Sequence, residues 1–85
     1  MKIYYSSKFA KEYKKLPKEI KLKSEKKEVI FRKDPNDSRL KTHRLKGMLK
    51  DFWSFSIDYQ YRIIFEFRDK NIVWFHSVGT HEVYE

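Results

Sequence analysis

Apolar and polar residues alternate along positions 53–67, and this alternation limits the possible folds more than any other feature of the chain. Large apolar side chains occupy every second position from 53 to 57 and again from 61 to 67, on either side of a polar break at Tyr59-Gln60. Since successive side chains of a β-strand face opposite sides, a period of two residues predicts strands with one buried face. We therefore expect two strands joined by a tight hairpin.

A further strand is predicted over positions 72–79, after a turn at 68–71. Residues 72–75 are all apolar, which is typical of a strand covered on both faces, so we expect this strand inside the sheet. The chain begins with another short strand candidate, at positions 2–6.

The first half of the chain has the residue spacing of helices. Phe9, Tyr13 and Leu16 recur at intervals of four and three residues, which predicts a helix with one apolar stripe. Ser7 can cap this helix, and Pro17 ends it.

A second helix is predicted over positions 18–32, because proline is tolerated in a first helical turn and the residues are rich in lysine and glutamate. Its apolar period is weak, since Leu22 and Val29 point away from the face shared by Ile20 and Phe31. We expect both helices to cover the aromatic face of the sheet. The predicted fold class is α+β, with the order β-α-α-β-β-β and two N-terminal helices packed on a small, mostly antiparallel sheet.

The composition excludes several classes of protein. With 85 residues and no cysteine, the chain is expected to be one domain, 1–85, without disulfides, thiol nucleophiles or cysteine-bound zinc. Its first residues are too poor in apolar side chains for a signal peptide or a membrane span, so we expect a soluble, cytoplasmic protein. Residues 1–50 carry 17 basic and six acidic side chains, a net charge of +11, which favours a polyanionic partner such as nucleic acid.

If the helices cover the aromatic face, the polar positions of the alternation line the opposite face of the sheet. These positions are Ser54, Ser56, Asp58, Arg62, Ile64 and Glu66. The segment that follows the last strand adds His81 and Tyr84. A histidine, a phenol and a guanidinium together supply the proton transfer and the positive charge that RNA cleavage needs.

Several separated motifs resemble the RelE/ParE superfamily of toxins from toxin–antitoxin systems. In chain order they are His43-Arg44-Leu45-Lys46-Gly47, Trp53-Ser54-Phe55, Tyr61-Arg62-Ile63-Ile64-Phe65 and Ser77-Val78-Gly79-Thr80-His81-Glu82-Val83-Tyr84. The resemblance covers essentially the whole chain and implies a RelE-like toxin that cleaves mRNA in the ribosomal A site, in contact with ribosomal RNA. It also implies a small cognate antitoxin as protein partner, and no metal or other cofactor.

The resemblance also implies roles for individual residues. Arg62 matches the arginine that binds the phosphate, His81 matches an acid or base, and Tyr84 matches a terminal aromatic residue that stacks on a base or orients the phosphate. His43 resembles the active-site histidine of the YafQ-like branch. Four further residues are expected to contact RNA or its phosphates, namely Arg44, Lys46, Ser54 and Ser56.

Each role has an ordinary structural alternative, and the general base stays open. Arg62 could form a cross-strand ion pair with Glu66 or Asp58 instead of binding phosphate. RelE carries lysines where this chain has Ser54 and Ser56, and YafQ-like proteins add a histidine and an aspartate in the loop where this chain has only Asp58-Tyr59-Gln60. The candidates for the base are, in order of preference, His43, Asp58 and Glu82.

Three other functions are compatible with parts of the pattern. A ParE-like toxin would share the fold and inhibit DNA gyrase without cutting RNA, although the combination of His81 with Arg62 argues against it. A non-catalytic RNA-binding module would use the lysine-rich helices alone. A metal hydrolase built on His43, His76 and His81 is disfavoured, because the spacing matches no metal motif and His76 falls within an apolar strand.

Overall fold

Two helices pack on one face of a five-stranded mixed sheet in the computed structural model, which describes residues 1–80 other than the side chain of Met48. The helices are α1 (Ser7–Lys14) and α2 (Lys18–Lys33), and the strands are β1 (Lys2–Tyr5), β2 (His43–Arg44), β3 (Trp53–Ser56), β4 (Arg62–Phe67) and β5 (Ile72–Gly79). Short 3₁₀ turns lie at Ser38–Leu40 and Gly47–Leu49. The predicted α+β class and element order are confirmed, and β2 is a strand that the sequence pattern did not predict.

The strands follow the order β1-β5-β4-β3-β2 across the sheet. β1 runs parallel to β5 and all other neighbours are antiparallel, as expected for a mostly antiparallel sheet. In this register Arg62 of β4 lies between Ser56 of β3 and Gly79 of β5. The predicted phosphate-binding guanidinium therefore belongs to an internal strand, at the end next to the β3–β4 hairpin.

The prediction that helices cover the aromatic face is confirmed by the core. Phe31 of α2 is fully buried, and its ring centroid lies 4.9 Å from that of Phe55, 4.9 Å from that of Phe65 and 5.5 Å from that of Phe75. Phe9 of α1 joins the same cluster at 5.5 Å from Phe75. Since Phe55, Phe65 and Phe75 all face this core, the intervening positions of these strands face away from α1 and α2, on what we call the outer face.

Both helix starts are set by the residue before the helix. The α1 N-cap is Ser6, not Ser7 as the sequence predicts, because Ser6 keeps the extended backbone of the preceding strand and its hydroxyl accepts the Phe9 N–H at 2.9 Å. Pro17 occupies the N-cap of α2, where its carbonyl accepts the N–H groups of Ile20 and Lys21. The weak period of α2 has the predicted cause: Leu22 and Val29 are 52% and 58% exposed.

A β-bulge in β5 changes which side chains reach the outer face. Ile64 pairs with Ser77 and Phe65 pairs with Phe75, so the register skips His76. Such an extra residue places His76 and Ser77 together on the side away from the core. The expectation that this strand is covered on both faces is therefore wrong in part, since His76 is exposed.

Helix α1 fixes this bulge through two hydrogen bonds. The Ser6 hydroxyl donates to the His76 carbonyl at 2.7 Å, and the Glu12 carboxylate accepts the Val78 N–H at 3.1 Å. Both bonds hold the part of β5 that leads to Gly79, the partner of Arg62. The helix side of the molecule thus sets the geometry of the outer face.

Replacing Phe31 by alanine should cost about 3–5 kcal/mol in the free energy of unfolding, because a fully buried ring leaves a cavity among three other rings. Urea unfolding measured by circular dichroism checks this. Phe67→Ala is the matched control, since Phe67 is 39% exposed and should cost less than half as much. Equal costs for the two variants would contradict the assignment of Phe31 to the centre of the core.

Candidate functional site

Arg62 presents a positive charge on the outer face that no carboxylate of the described residues pairs with. Its guanidinium donates to the Ser56 hydroxyl at 2.9 Å across the β3–β4 pair. The alternative carboxylate partners are engaged elsewhere, because Glu66 pairs with Arg68 at 3.3 Å and Asp58 with Lys23 at 3.6 Å. Among residues 1–80, no carboxylate lies within 4.0 Å of the Arg62 guanidinium. The half-buried guanidinium therefore keeps donors for a phosphate.

His43 lies on β2, two strands from Arg62. Its Nδ1 is 3.2 Å from the Lys41 carbonyl and its Nε2 is 3.4 Å from the Ser54 hydroxyl. A carbonyl can only accept, so the first hydrogen bond requires a proton on Nδ1 and leaves the Nε2 of the neutral ring as an acceptor. An exposed histidine whose Nε2 accepts only a long contact of 3.4 Å from the Ser54 hydroxyl has the form that a general base needs.

The sheet register gives the separation of the two groups. His43 pairs with Ser54, and Ser56, two residues further along β3, pairs with Arg62. Two interstrand spacings and two residues along a strand place the His43 and Arg62 backbones about 12 Å apart. Both side chains are long enough to reach one phosphodiester group held between them.

The middle of the outer face is closed. Ser54 is fully buried, and Ile64 and Ser77, its neighbours across the sheet, are buried as well. A buried hydroxyl is not open to a phosphate, so the structure favours a role for Ser54 in holding His43. Ser56 is half-buried and is already bonded to Arg62, which makes it a support for the guanidinium.

Asp58 holds the β3–β4 hairpin. Its carboxylate accepts the N–H groups of Gln60 and Tyr61 at 2.8 and 2.9 Å. Partial burial by itself raises the pKa of the Asp58 carboxyl, but these two hydrogen bonds and the Lys23 ammonium hold that pKa below its ordinary value. A carboxylate with a lowered pKa and occupied lone pairs is a poor proton acceptor, so the geometry favours His43 over Asp58 as the base.

The remaining predicted residues differ in their placement. The Arg44 Nε–H donates to the Lys50 carbonyl at 2.8 Å, which closes the loop between β2 and β3. Lys46 is exposed on the same loop. His81, Tyr84 and the third base candidate, Glu82, lie outside the described residues. Gly79, two positions before His81 in the chain, is the cross-strand partner of Arg62.

His76 is an exposed outer-face residue that the sequence pattern missed. Its ring lies 5.0 Å from that of Phe52, just before β3. The sequence did contain a sign of the bulge. The apolar residues Val73, Phe75 and Val78 are separated by two and then by three positions, and this change of spacing is what an inserted bulge residue produces.

A separate groove of about 530 Å³ lies on the helix side of the sheet, lined by α1, α2 and β1. Its apolar lining consists of Tyr5, Phe9, Ala10, Tyr13 and Val29. Lys14, Glu25, Glu28 and Arg32 add charged groups. None of the predicted catalytic residues that the structure describes belongs to it, so the groove and the outer-face site are distinct.

Within residues 1–80, no group of three or more histidine or acidic side chains is placed to bind a metal ion. No helix in this part of the chain has the length and apolar character needed to cross a bilayer.

The sequence matches the family model of YafQ, a bacterial toxin of type II toxin–antitoxin systems, over residues 1–84. The chain belongs to the YafQ toxin family. This confirms the resemblance to the RelE/ParE superfamily that the separated motifs indicate. A comparison with curated proteins finds no match.

Solved structures of related toxins share the fold of this YafQ-family chain. YafQ from E. coli strain BL21(DE3) has a TM-score of 0.73 at 22% identity, with 98% of this chain and 96% of that chain covered. The YoeB/ParE toxin from Agrobacterium tumefaciens has a TM-score of 0.80 at 16% identity, with coverages of 95% and 99%. The E. coli DinJ-YafQ complex matches with a TM-score of 0.69 at 23% identity, with coverages of 96% and 94%.

Replacing Asp58 by alanine should destabilise this YafQ-family protein by about 1–2 kcal/mol at pH 7, because the hairpin N–H groups lose their acceptor. Since the pKa of Asp58 is lowered in the folded protein, its stabilisation is complete above the ordinary carboxyl pKa of about 3.9 and is lost as the pH falls through the lower folded value. The difference in unfolding free energy between wild type and Asp58→Ala should therefore shrink as the pH falls below the ordinary carboxyl pKa. Urea unfolding is measured at pH 7 and at an acidic pH below that value, with Asp58→Asn, which keeps an acceptor oxygen, as the control. An Asp58→Ala protein as stable as wild type at pH 7 would contradict this role.

Proposed function

We propose that this protein is a ribosome-dependent mRNA endonuclease of a type II toxin–antitoxin system, which inhibits translation. The observation that supports the proposal most is that the Arg62 guanidinium has no carboxylate partner among residues 1–80 and is hydrogen-bonded to Ser56 on the outer face of the sheet. A structural arginine in a folded domain usually has its charge compensated, so an uncompensated one at half burial favours an anionic ligand.

The proposed reaction breaks the phosphodiester bond without a metal. His43 Nε2 takes the proton of the ribose 2′-hydroxyl, and the 2′-oxygen attacks the adjacent phosphorus. Arg62 stabilises the negative charge that develops on the nonbridging oxygens. The bond from phosphorus to the 5′-oxygen then breaks, His81 donates a proton to that oxygen, and the products are a 2′,3′-cyclic phosphate and a 5′-hydroxyl.

Other basic and aromatic residues would position the RNA. Tyr84 is proposed to stack on a base beside the scissile bond, and the exposed Lys46 and Arg44 contact phosphates along the loop. The lysines of α1 and α2 lie on the opposite side of the sheet. They are proposed to bind ribosomal RNA, which presents phosphates over a much larger surface than the substrate does.

Replacing Arg62 by alanine should lower the rate of mRNA cleavage about 10²- to 10³-fold, because the charge on the phosphorane oxygens loses its stabilisation. Cleavage is measured by primer extension, which maps mRNA 5′ ends in cells that express each variant. Arg39→Ala is the matched control, since Arg39 is exposed and paired with Asp37 at 2.9 Å. His43→Ala and His81→Ala should also lose cleavage.

The same experiment separates the proposal from its alternatives. Unchanged cleavage in His81→Ala would exclude His81 as the acid, and unchanged cleavage in Arg62→Ala would remove the main support for the site. Intact mRNA with altered DNA supercoiling would instead indicate a gyrase inhibitor of the ParE type.

We further propose that a cognate antitoxin inhibits the toxin by binding the groove between α1 and α2. The E. coli relative occurs in a complex named DinJ-YafQ, which supports a protein partner for this chain as well. The groove presents an aromatic floor with charged groups from both helices, a surface that fits the apolar face of an amphipathic helix.

Val29→Asp should weaken the antitoxin complex, because a carboxylate would replace an apolar wall of the groove. The loss should reach at least tenfold in Kd by isothermal titration, corresponding to about 1.4 kcal/mol. Leu22→Asp is the matched control, since Leu22 has a similar exposure on the same helix but does not line the groove. Equal affinities for Val29→Asp and wild type would place the antitoxin elsewhere.

A further inference from the structure

An exposed aromatic pair lies on the outer face beyond the catalytic groups. Tyr4 of β1 is 45% exposed, Trp74 of β5 is 40% exposed, and their ring centroids are 5.8 Å apart. Strand alternation places both on the outer face, because Ile3, Val73 and Phe75 belong to the opposite, buried side. The pair is therefore an aromatic surface that the core does not use.

A cation completes this surface. The Arg68 guanidinium carbon lies 5.2 Å from the centroid of the Trp74 ring. Lys2, two positions before Tyr4 on β1, is exposed on the same side of the sheet. The one outer-face carboxylate beside Trp74 in the register is that of Glu66, and it is paired with Arg68 at 3.3 Å. The surface thus combines exposed rings with a positive balance of charge.

The aromatic pair lies on the same face of the sheet as the proposed active site. Glu66, opposite Trp74, is four residues from Arg62 on the same strand. Four residues of a strand span about 14 Å, a distance that a few nucleotides cover. Between them, the Phe52–His76 ring pair, with centroids 5.0 Å apart, continues the aromatic surface across the sheet.

We infer that Tyr4 and Trp74 form a stacking site for bases of single-stranded RNA that flank the scissile phosphate at Arg62. Aromatic rings bind unpaired bases through their π-faces, and neighbouring cations hold the backbone, which is the combination that this surface presents. The site rests on the proposed RNA-cleaving function and extends it, since the residues would hold substrate without touching the reacting atoms.

Binding of a fluorescently labelled 2′-O-methyl oligonucleotide tests the inference, because such an RNA cannot be cleaved through its 2′-oxygen. Fluorescence anisotropy should show that Trp74→Leu weakens binding about tenfold, whereas Trp74→Phe keeps a ring and retains most of the affinity. An abasic oligonucleotide with the same number of phosphates should bind wild type and Trp74→Leu equally. Phe67→Ala is the matched control, because this ring is equally exposed but belongs to the helix side of β4.

A second readout uses Trp74 itself. In a Trp53→Phe background, Trp74 is the only tryptophan, and its fluorescence should be quenched by the oligonucleotide with bases and not by the abasic one. Urea unfolding of each Trp74 variant shows whether the β1–β5 pair still forms.

Three results would overturn the inference: equal RNA affinity of folded Trp74→Leu and wild type, equal losses on the abasic oligonucleotide, or an effect of Trp74→Leu on antitoxin binding alone. If the oligonucleotide quenches Trp74 fluorescence but wild type does not cleave mRNA, the stacking site is supported and the proposed enzymatic function is contradicted. If wild type cleaves mRNA without quenching of Trp74, only the stacking site is contradicted.

Discussion

The burial of one aromatic face of the sheet under α1 and α2 determines the rest of this structure. Phe31 contacts rings from β3, β4 and β5, so a single side chain fixes the face that each of these strands turns inward. Because strand side chains alternate, burying those rings leaves Ser56 and Arg62 on the other face. A slip of one residue in any pair would exchange the two sets. The packing of the core thus also fixes the strand register that places Arg62 beside Ser56 and Gly79.

The same packing reaches the site through α1. Ser6 and Glu12 bond the backbone of the β5 bulge, and the bulge directs His76 outward while Gly79 stays opposite Arg62. The Arg62 guanidinium is held by the Ser56 hydroxyl, and the His43 ring by the Lys41 carbonyl and the Ser54 hydroxyl. Such preorganisation suits the stabilisation of a charged transition state, since no group has to move far when the charge develops. The apolar groove lined by α1, α2 and β1 lies on the other side of the sheet.

Much of this arrangement follows from the sequence. The alternation over 53–67 predicted the inward and outward residues of β3 and β4 correctly, and the separated motifs indicated the family. Asp58, which was expected on the outer face, lies instead in the hairpin after β3 and pairs with Lys23 of α2. Several features did not follow, each for a physical reason. The N-cap of α1 is Ser6 and not the predicted Ser7, because Ser6 is the serine that hydrogen-bonds to β5. β2 was not predicted because a strand of two residues is too short to show an alternating pattern, and it forms only by pairing with β3. Ser54 was expected to contact RNA, yet it is buried, and the burial of one polar position on the outer face leaves no signal in a strand pattern.

The proposed function requires RNA to bind at Arg62 on the outer face. Nuclear magnetic resonance tests it directly, through the Nε–H signal of Arg62 and the amide signals of Ser56 and Gly79 during titration with a 2′-O-methyl dinucleotide. If RNA binds at Arg62, these three signals should shift together and saturate, while the Nε–H signal of Arg39 stays in place. Shifts confined to the lysine-rich helices, with Arg62 unmoved, would contradict it.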